Sequence, residues 1–403
     1  MKKFINQKNG SAIVILLALN FIYGCNANIN SVLNQIAAQF PDVSPTTIQL
    51  LATIPFFIVM IGSIVVGATI GKKIKYKPTI ITGFAIYIIG EALPVFISNS
   101  FPLLLGSRIL CGIGGGMITC GTAYTYVVSD VDRIGGNVAA GNAIMNVAGI
   151  VFMFLAGVLG GIKWNYVFIP VLVGIIPLIL SFKYLVEPQI ADAPAAQDEG
   201  LPDKAASEEK LSPKTWIYAV VLFLVNIGSY CWMLVMSDTV FHKGIESVFI
   251  VSLVLVFART SGIIGSAAFG KLDKYGSKAV ILSSGIIGIV GSVAMLYAKN
   301  VVLLCLLAVL NGVSYYIGVV MCFGYNGLAN SKAKAGVANM ILNVSQSISL
   351  FICPFFVSLA TKLFSRNAAL PTSGVFIGSA VVMAIVFVIG LLFDVSPGAK
   401  PEA

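Results

Sequence analysis

Twelve stretches of about 20 residues or more, almost free of charge, run through this chain at roughly 11–37, 46–70, 78–98, 102–128, 137–161, 164–186, 214–238, 247–270, 278–298, 301–328, 335–361 and 372–393. An α-helix needs about 20 residues, at about 1.5 Å each, to cross roughly 30 Å of hydrocarbon. In lipid, backbone amides must be satisfied inside a helix or a closed barrel. A barrel would show alternating apolar and polar residues, which these runs lack. The fold class read from the sequence is therefore an all-α membrane protein with twelve transmembrane helices. Composition agrees, since 58% of the 403 residues are hydrophobic and 10% are charged. A soluble domain does not cover that much apolar surface.

MKKFINQKNG followed by SAIVILLALNFIYGC has the layout of a secretory signal ending at Cys25, but the apolar stretch continues in register as a first helix and further spans follow. All seven cysteines lie within the spans and none forms a CxxC pair. Neither a disulfide framework nor a metal site is indicated, and no cofactor is expected.

Basic residues set the orientation. With an even number of spans the termini share a side, and that side carries 18 of the 25 Lys and Arg; the opposite side carries 5, and Arg108 and Arg259 lie inside spans. The positive-inside rule then makes both termini cytoplasmic. The net charge of +9 is mostly topology, so no nucleic-acid partner is expected. The expected setting is a cytoplasmic (inner) membrane, crossed many times by a monomer.

The stretch EPQIADAPAAQDEGLPDKAASEEKLSPK (187–214), rich in Ala, Pro, Asp and Glu, reads as a flexible cytoplasmic linker. It divides the chain into a six-helix half at 1–186 and another at 214–394, with the linker at 187–213 and a tail at 395–403. Three matches relate the halves: NAIMNV (142–147) with NMILNV (339–344), ILCG (109–112) with VLNG (309–312), and GKKIKYK (71–77) with DKYGSK (273–278), all at offsets of about 200 residues. Two similar six-helix halves are an arrangement of secondary transporters, with the substrate site near mid-membrane.

DKYGSK, within FGKLDKYGSK (269–278), resembles the loop motif of the major facilitator superfamily, roughly G-x-x-x-D-R/K-x-G-x-R/K, from Asp273 onward. The first copy, GATIGKKIKYK (67–77), keeps Gly67 and basic residues such as Lys72, with Gly71 in place of the aspartate and Ile74 in place of the second glycine. RILCGIGGG (108–116) resembles the family's fourth-span R-x-x-x-G-x-G. AGVLGGIKWNYVF (156–168) resembles the end of its fifth span, with Ala156-Gly157 where many antiporters have Gly-Pro. The resemblance covers the whole chain. It implies the superfamily's twelve-span fold, a proton as coupling ion, a coupling role for Arg108 facing the cavity, and a gating loop built from Gly67, Lys72, Asp273, Lys274, Gly276 and Lys278. In that loop Asp273 would act as a latch, approaching a helix N-terminus and pairing with basic neighbours in one conformation; the lysines alone would also serve as topology anchors.

Charge inside the membrane costs at least about 2.5–3.5 kcal/mol on insertion scales, so it points to function. Glu91 and Arg108 each lie eight or nine residues from the turn at Asn99–Ser100, which places both about 13 Å from the outer end at about 1.5 Å per residue. They are expected to pair, either as a structural ion pair or as a site where Glu91 takes up a proton and frees Arg108. Arg259 lies about twelve residues into its span with no acid in that span, so it suits an anion in a water-filled cavity or hydrogen bonding to helix carbonyls.

Asparagines are the other constellation: Asn20 and Asn26 in the first span, Asn142 and Asn146 in the fifth, Asn226 in the seventh, Asn339 and Asn343 in the eleventh. Residues four apart share a helix face, and amides facing lipid would be costly. Cavity lining and helix-to-helix hydrogen bonding both account for them. Tyr23, Tyr230 and Tyr315 are candidate aromatic walls. No Walker loop appears, and the lone His242 leaves no histidine-based catalytic cluster. The functional expectation is a secondary transporter of a small polar or anionic organic solute, coupled to protons, with export slightly favoured. Organic-anion uptake or exchange, and more remotely a membrane-embedded enzyme, are the alternatives.

Overall fold

A computed structural model describes residues 9–71, 73–188, 211–331, 334–365 and 370–397. Lys72, nearly all of the 187–213 linker and most of the 395–403 tail lie outside the described residues. Among the described residues twelve helices are long and apolar enough to cross a membrane: α1 Gly10–Ser31, α2 Pro45–Thr69, α3 Tyr76–Phe96, α4 Phe101–Val128, α5 Ile134–Gly160, α6 Trp164–Tyr184, α7 Lys214–Leu234, α8 Val248–Tyr275, α9 Ser277–Tyr297, α10 Val301–Ala329, α11 Gly336–Phe364 and α12 Ser373–Leu392. Four of them depart from regular α-helix, α8 in its last residues, Asp273–Tyr275, which wind as 3₁₀ helix. The end of α1, Gly24–Ser31, and the start of α6, Trp164–Gly174, wind as 3₁₀ helix. α4 breaks at Thr119, whose hydroxyl donates to the Gly116 carbonyl at 2.6 Å. Asn and Ser dominate the first stretch and Pro170 sits in the second; both compete with or remove the regular i to i−4 bonds.

The chain clusters into two compact units, Met1–Ile29 with Ile54–Gly200, and Asn30–Thr53 with Leu201–Ala403. Each has its own apolar core. In the first, Ile13, Leu16, Leu19 and Ile22 of α1 meet Phe84 and Ile88 of α3 and Phe152 of α5. In the second, Val221 and Val225 of α7 meet Ile281 of α9, Ile317 and Met321 of α10, and Met383 of α12.

Packing repeats between the units where the sequence does. α1 packs on α5 as α7 packs on α11, and α3 on α4 as α9 on α10. Gly112 and Gly312, aligned in ILCG and VLNG, lie where the fourth helix of each set of six meets the second. A Cβ on Gly112 would stand 2.9 Å from Ile58 Cγ2 of α2, and one on Gly312 would stand 2.6 Å from the Ala258 carbonyl of α8. Only glycine allows either crossing at that distance.

The last span of each six-helix set is tied back to an earlier helix start. The Glu187 carboxylate, just past α6, accepts from the Tyr76 and Lys77 backbone amides at 2.8 Å each, capping α3. In the second unit Lys214 Nζ meets Asp394 Oδ2 at 2.9 Å. The Ser396 hydroxyl and then Lys214 hold the Asp394 carboxyl well below the usual carboxylate range.

Candidate functional site

A cavity of about 200 Å³ lies in the first unit between the N-terminal part of α1, the C-terminal half of α4 and the N-terminal half of α5. Asn20 and Tyr23 reach it from α1, Thr119 and Thr122 from α4, and Asn142 from α5. The glycines of 112–116 let α4 lie close to α2 and α3, and past the break at Thr119 the helix contributes Thr122 and Thr125 to the cavity lining. Gly141 leaves room for the Asn20 amide, whose nitrogen would stand 3.2 Å from a Cβ there. Among the described residues no acidic or basic side chain lines the cavity. Of the asparagines expected at a site, Asn20 and Asn142 converge here. Asn146 donates to the Asn142 backbone carbonyl at 3.1 Å, and Asn26 is half-buried in the 3₁₀ stretch of α1. The sequence reading missed the threonines, because a hydroxyl in a helix ordinarily bonds its own backbone, as Thr119 does.

Behind Tyr23 stands a buried charged group. The Tyr23 and Tyr87 rings are 5.0 Å apart, and the Tyr87 hydroxyl donates to the Tyr23 carbonyl at 3.3 Å. One turn further along α3 is Glu91, whose Oε1 lies 3.1 Å from Arg108 Nη1. The two side chains are 2% exposed. Arg108 Nη2 also donates to Cys111 Sγ at 3.0 Å and to the Gly90 carbonyl at 3.4 Å, and the guanidinium sits 5.1 Å from the centre of the Phe168 ring. The equal depths read from the sequence correspond to this contact. Arg108 itself is not among the cavity-lining residues.

In the second unit Asn226, fully buried, donates to the Leu222 carbonyl at 2.7 Å and accepts from the Tyr315 hydroxyl at 3.3 Å. Gln346 Nε2 donates to that same hydroxyl at 3.3 Å. Gln346 was not anticipated, although with Asn339 and Asn343 it forms an i, i+4, i+7 stripe on α11 that periodicity alone could have flagged. Asn339 accepts from Asn326 at 3.2 Å, joining a knot in which Thr215 donates to Asn326 and Asn330 donates to Thr215, both at 2.9 Å. Asn339 is thus held in helix-to-helix bonding, whereas its repeat partner Asn142 lines a cavity. Asn343 is exposed. Asn30 hydrogen-bonds the Tyr230 hydroxyl, and half-buried Arg259 stands close enough to act on it electrostatically.

The family model described as Major Facilitator Superfamily matches residues 15–272. The chain belongs to the Major Facilitator Superfamily. Solved structures agree on the fold. A bacterial homologue of the human lysosomal transporter Spinster, in an inward-facing and occupied conformation, is 14% identical with a TM-score of 0.70, each chain covered over 94% of its length. The nucleoside transporter NupG is 14% identical at TM-score 0.70, covering 95% of this chain and 100% of that one. The xylose transporter XylE from E. coli, partially occluded and inward open, is 13% identical at TM-score 0.69, covering 95% and 97%. Among curated proteins, none matches this chain in sequence.

The superfamily's loop motif takes different forms in the two units. At the end of α8 the Asp273 carboxylate accepts a hydrogen bond from the Tyr325 hydroxyl of α10, whose ring lies 5.9 Å from that of Phe269. Among the described residues Asp273 forms no ion pair with a lysine. Gly276 adopts φ +95°, and Lys274 and Lys278 are exposed. Near the end of α2 Gly67 is exposed, and just past it Gly71, at φ +73°, makes a tight turn in which its amide donates to the Ile74 carbonyl at 2.8 Å. An aspartate at position 71 would be strained there, which is a physical reason for the departure from the motif.

Proposed function

We propose that this superfamily member is a secondary active transporter that moves a small polar organic solute across the cytoplasmic membrane by alternating access, coupled to protons. The observation that carries the reading is the convergence of Asn20, Tyr23 and Asn142 on one cavity, with the Glu91–Arg108 pair one aromatic layer behind it. A solute touching Tyr23 presses on Tyr87, and Tyr87 shares a helix face with Glu91. Protonation of Glu91 would release Arg108 from its carboxylate, so solute occupancy and proton uptake act on the same small group. The named neighbours carry nucleosides and xylose, which supports a polar organic cargo. Export is slightly favoured over uptake, with the solute and ion gradients setting the direction; Ala156-Gly157, standing where many antiporters have Gly-Pro, does not strengthen it.

Arg259 favours a second reading, an organic-anion uptake or exchange permease. It is half-buried and forms no ion pair among the described residues. In that case the anion would be held by a charge-assisted bond to the guanidinium.

The test is solute accumulation in proteoliposomes under an imposed pH gradient without ATP. Accumulation should collapse with a protonophore, and Glu91→Gln should abolish the pH dependence while leaving gradient-free exchange. Accumulation that ignores the pH gradient in the unaltered protein would remove the proton from the mechanism.

A further inference from the structure

Resting on that transport reading, we infer that the cavity of the first unit takes an uncharged, hydroxyl-bearing cyclic solute of the sugar, cyclitol or nucleoside kind. Three observations carry this. The first is what the cavity lacks: among the described residues no Asp, Glu, Lys, Arg or His lines it. A carboxylate or phosphate entering would lose its hydration and meet no counter-charge, whereas a hydroxyl would exchange water for an amide or hydroxyl partner at little cost. The nearby charges do not change this, since Arg108 is already neutralised by Glu91 and both are buried away from the lining.

The second observation is what the cavity offers. The Asn20, Thr122 and Asn142 side chains and the Tyr23 hydroxyl have no hydrogen-bond partner among the described residues, unlike Thr119 and Thr125, which bond their own helix carbonyls. Two amides and two hydroxyls each donate and accept, which is the capability a hydroxyl group also has. Such a set suits several hydroxyls and gives no preference for a cation or an anion.

The third is shape and texture. One helical turn from these polar groups the lining is apolar, with Leu17 beside Asn20, Ile118 beside Thr122 and Met145 beside Asn142. A ring that carries both hydroxyls and carbon surface suits such a mixed lining. The volume of about 200 Å³ is below the roughly 300–1,000 Å³ of pockets for drug-sized ligands, so one such ring fills it.

Binding is read as thermal stabilisation of the purified full-length protein in detergent. The ligands are three matched pairs: glucose and glucuronate, myo-inositol and inositol monophosphate, uridine and uridine monophosphate. At least one neutral compound should bind at least tenfold more tightly than its charged counterpart, a difference of about 1.4 kcal/mol. The pair that responds separates sugar, cyclitol and nucleoside. Asn142→Leu and Asn20→Leu should each weaken that neutral ligand about tenfold or more, and Thr122→Val, which removes a hydroxyl and keeps the shape, should weaken it severalfold. The inference is overturned if no neutral compound binds, if a charged counterpart binds as tightly as its neutral partner, or if Thr122→Val and the asparagine variants, shown to be folded, bind unchanged. A solute bound with these preferences yet not exchanged across proteoliposomes would contradict the transport reading and leave the ligand class standing. An anion exchanged in preference to its neutral partner, with the preference lost in Arg259→Ala, would do the reverse.

Discussion

Glu91 and Arg108 are the residues at which a single charge matters most. Breaking a buried pair leaves the other charge uncompensated, which typically costs about 3–5 kcal/mol, whereas replacing both is often close to neutral. Glu91→Gln alone should therefore lower the melting temperature of the detergent-solubilised protein well below that of the Glu91→Gln/Arg108→Gln double variant. If the double variant is no more stable than the single one, the pair does not act as a unit. This contact was legible in the sequence because two charges in otherwise apolar spans, equally far from one turn, have few other partners available. Cys111 and the Gly90 carbonyl, which complete the guanidinium's bonding, were not legible, since a cysteine and a glycine look the same in sequence whether or not a charge leans on them. The asparagines show the limit from the other side: spacing put Asn142 and Asn339 on helix faces, but the neighbouring helix decides that one amide meets a cavity and the other meets Asn326.

Whole helices were easier to read than their irregularities, because an apolar run of fixed length has one outcome in lipid while a local unwinding depends on what packs beside it. The twelve spans follow from apolarity alone. The 3₁₀ end of α1 and the break in α4 at Thr119 were not anticipated, although Gly24–Ser31 holds three asparagines and two other small polar or glycine positions that weaken a helix. The repeat proved informative at this scale, since Gly112 and Gly312 mark the same close crossing in both units. Gly112→Leu or Gly312→Leu should each cost at least about 1–3 kcal/mol by overpacking, and more at 312, where the Ala258 carbonyl would stand 2.6 Å from the added carbon against 3.1 Å for the Pro55 carbonyl at 112. Monodisperse yield on size exclusion should fall sharply for both. Gly106→Ala, with nothing within 4 Å of the added carbon, should behave as the unaltered protein; equal losses for all three would show that the crossings do not depend on glycine.

Across the molecule, the chain forms two compact units, each with its own core, and the cavity lies within the first. The fold class was readable from twelve runs, one acidic linker and three repeated fragments. The cargo was not, because selectivity rests on a few uncharged side chains, Asn20, Thr122 and Asn142 among them, whose types are ordinary in any helix. We propose that this superfamily member moves its solute by exposing one site alternately to the two sides of a membrane. Counterflow tests this most directly: proteoliposomes loaded with an excess of unlabelled solute, the tightest binder of the six compounds above, are diluted into a trace of the labelled form with no ion gradient and no ATP. Alternating access predicts that label transiently accumulates inside above its external concentration and then decays. Label that only equilibrates, with no overshoot at any loading, would mean an open pore, and label that never enters would mean that the protein does not carry what it binds.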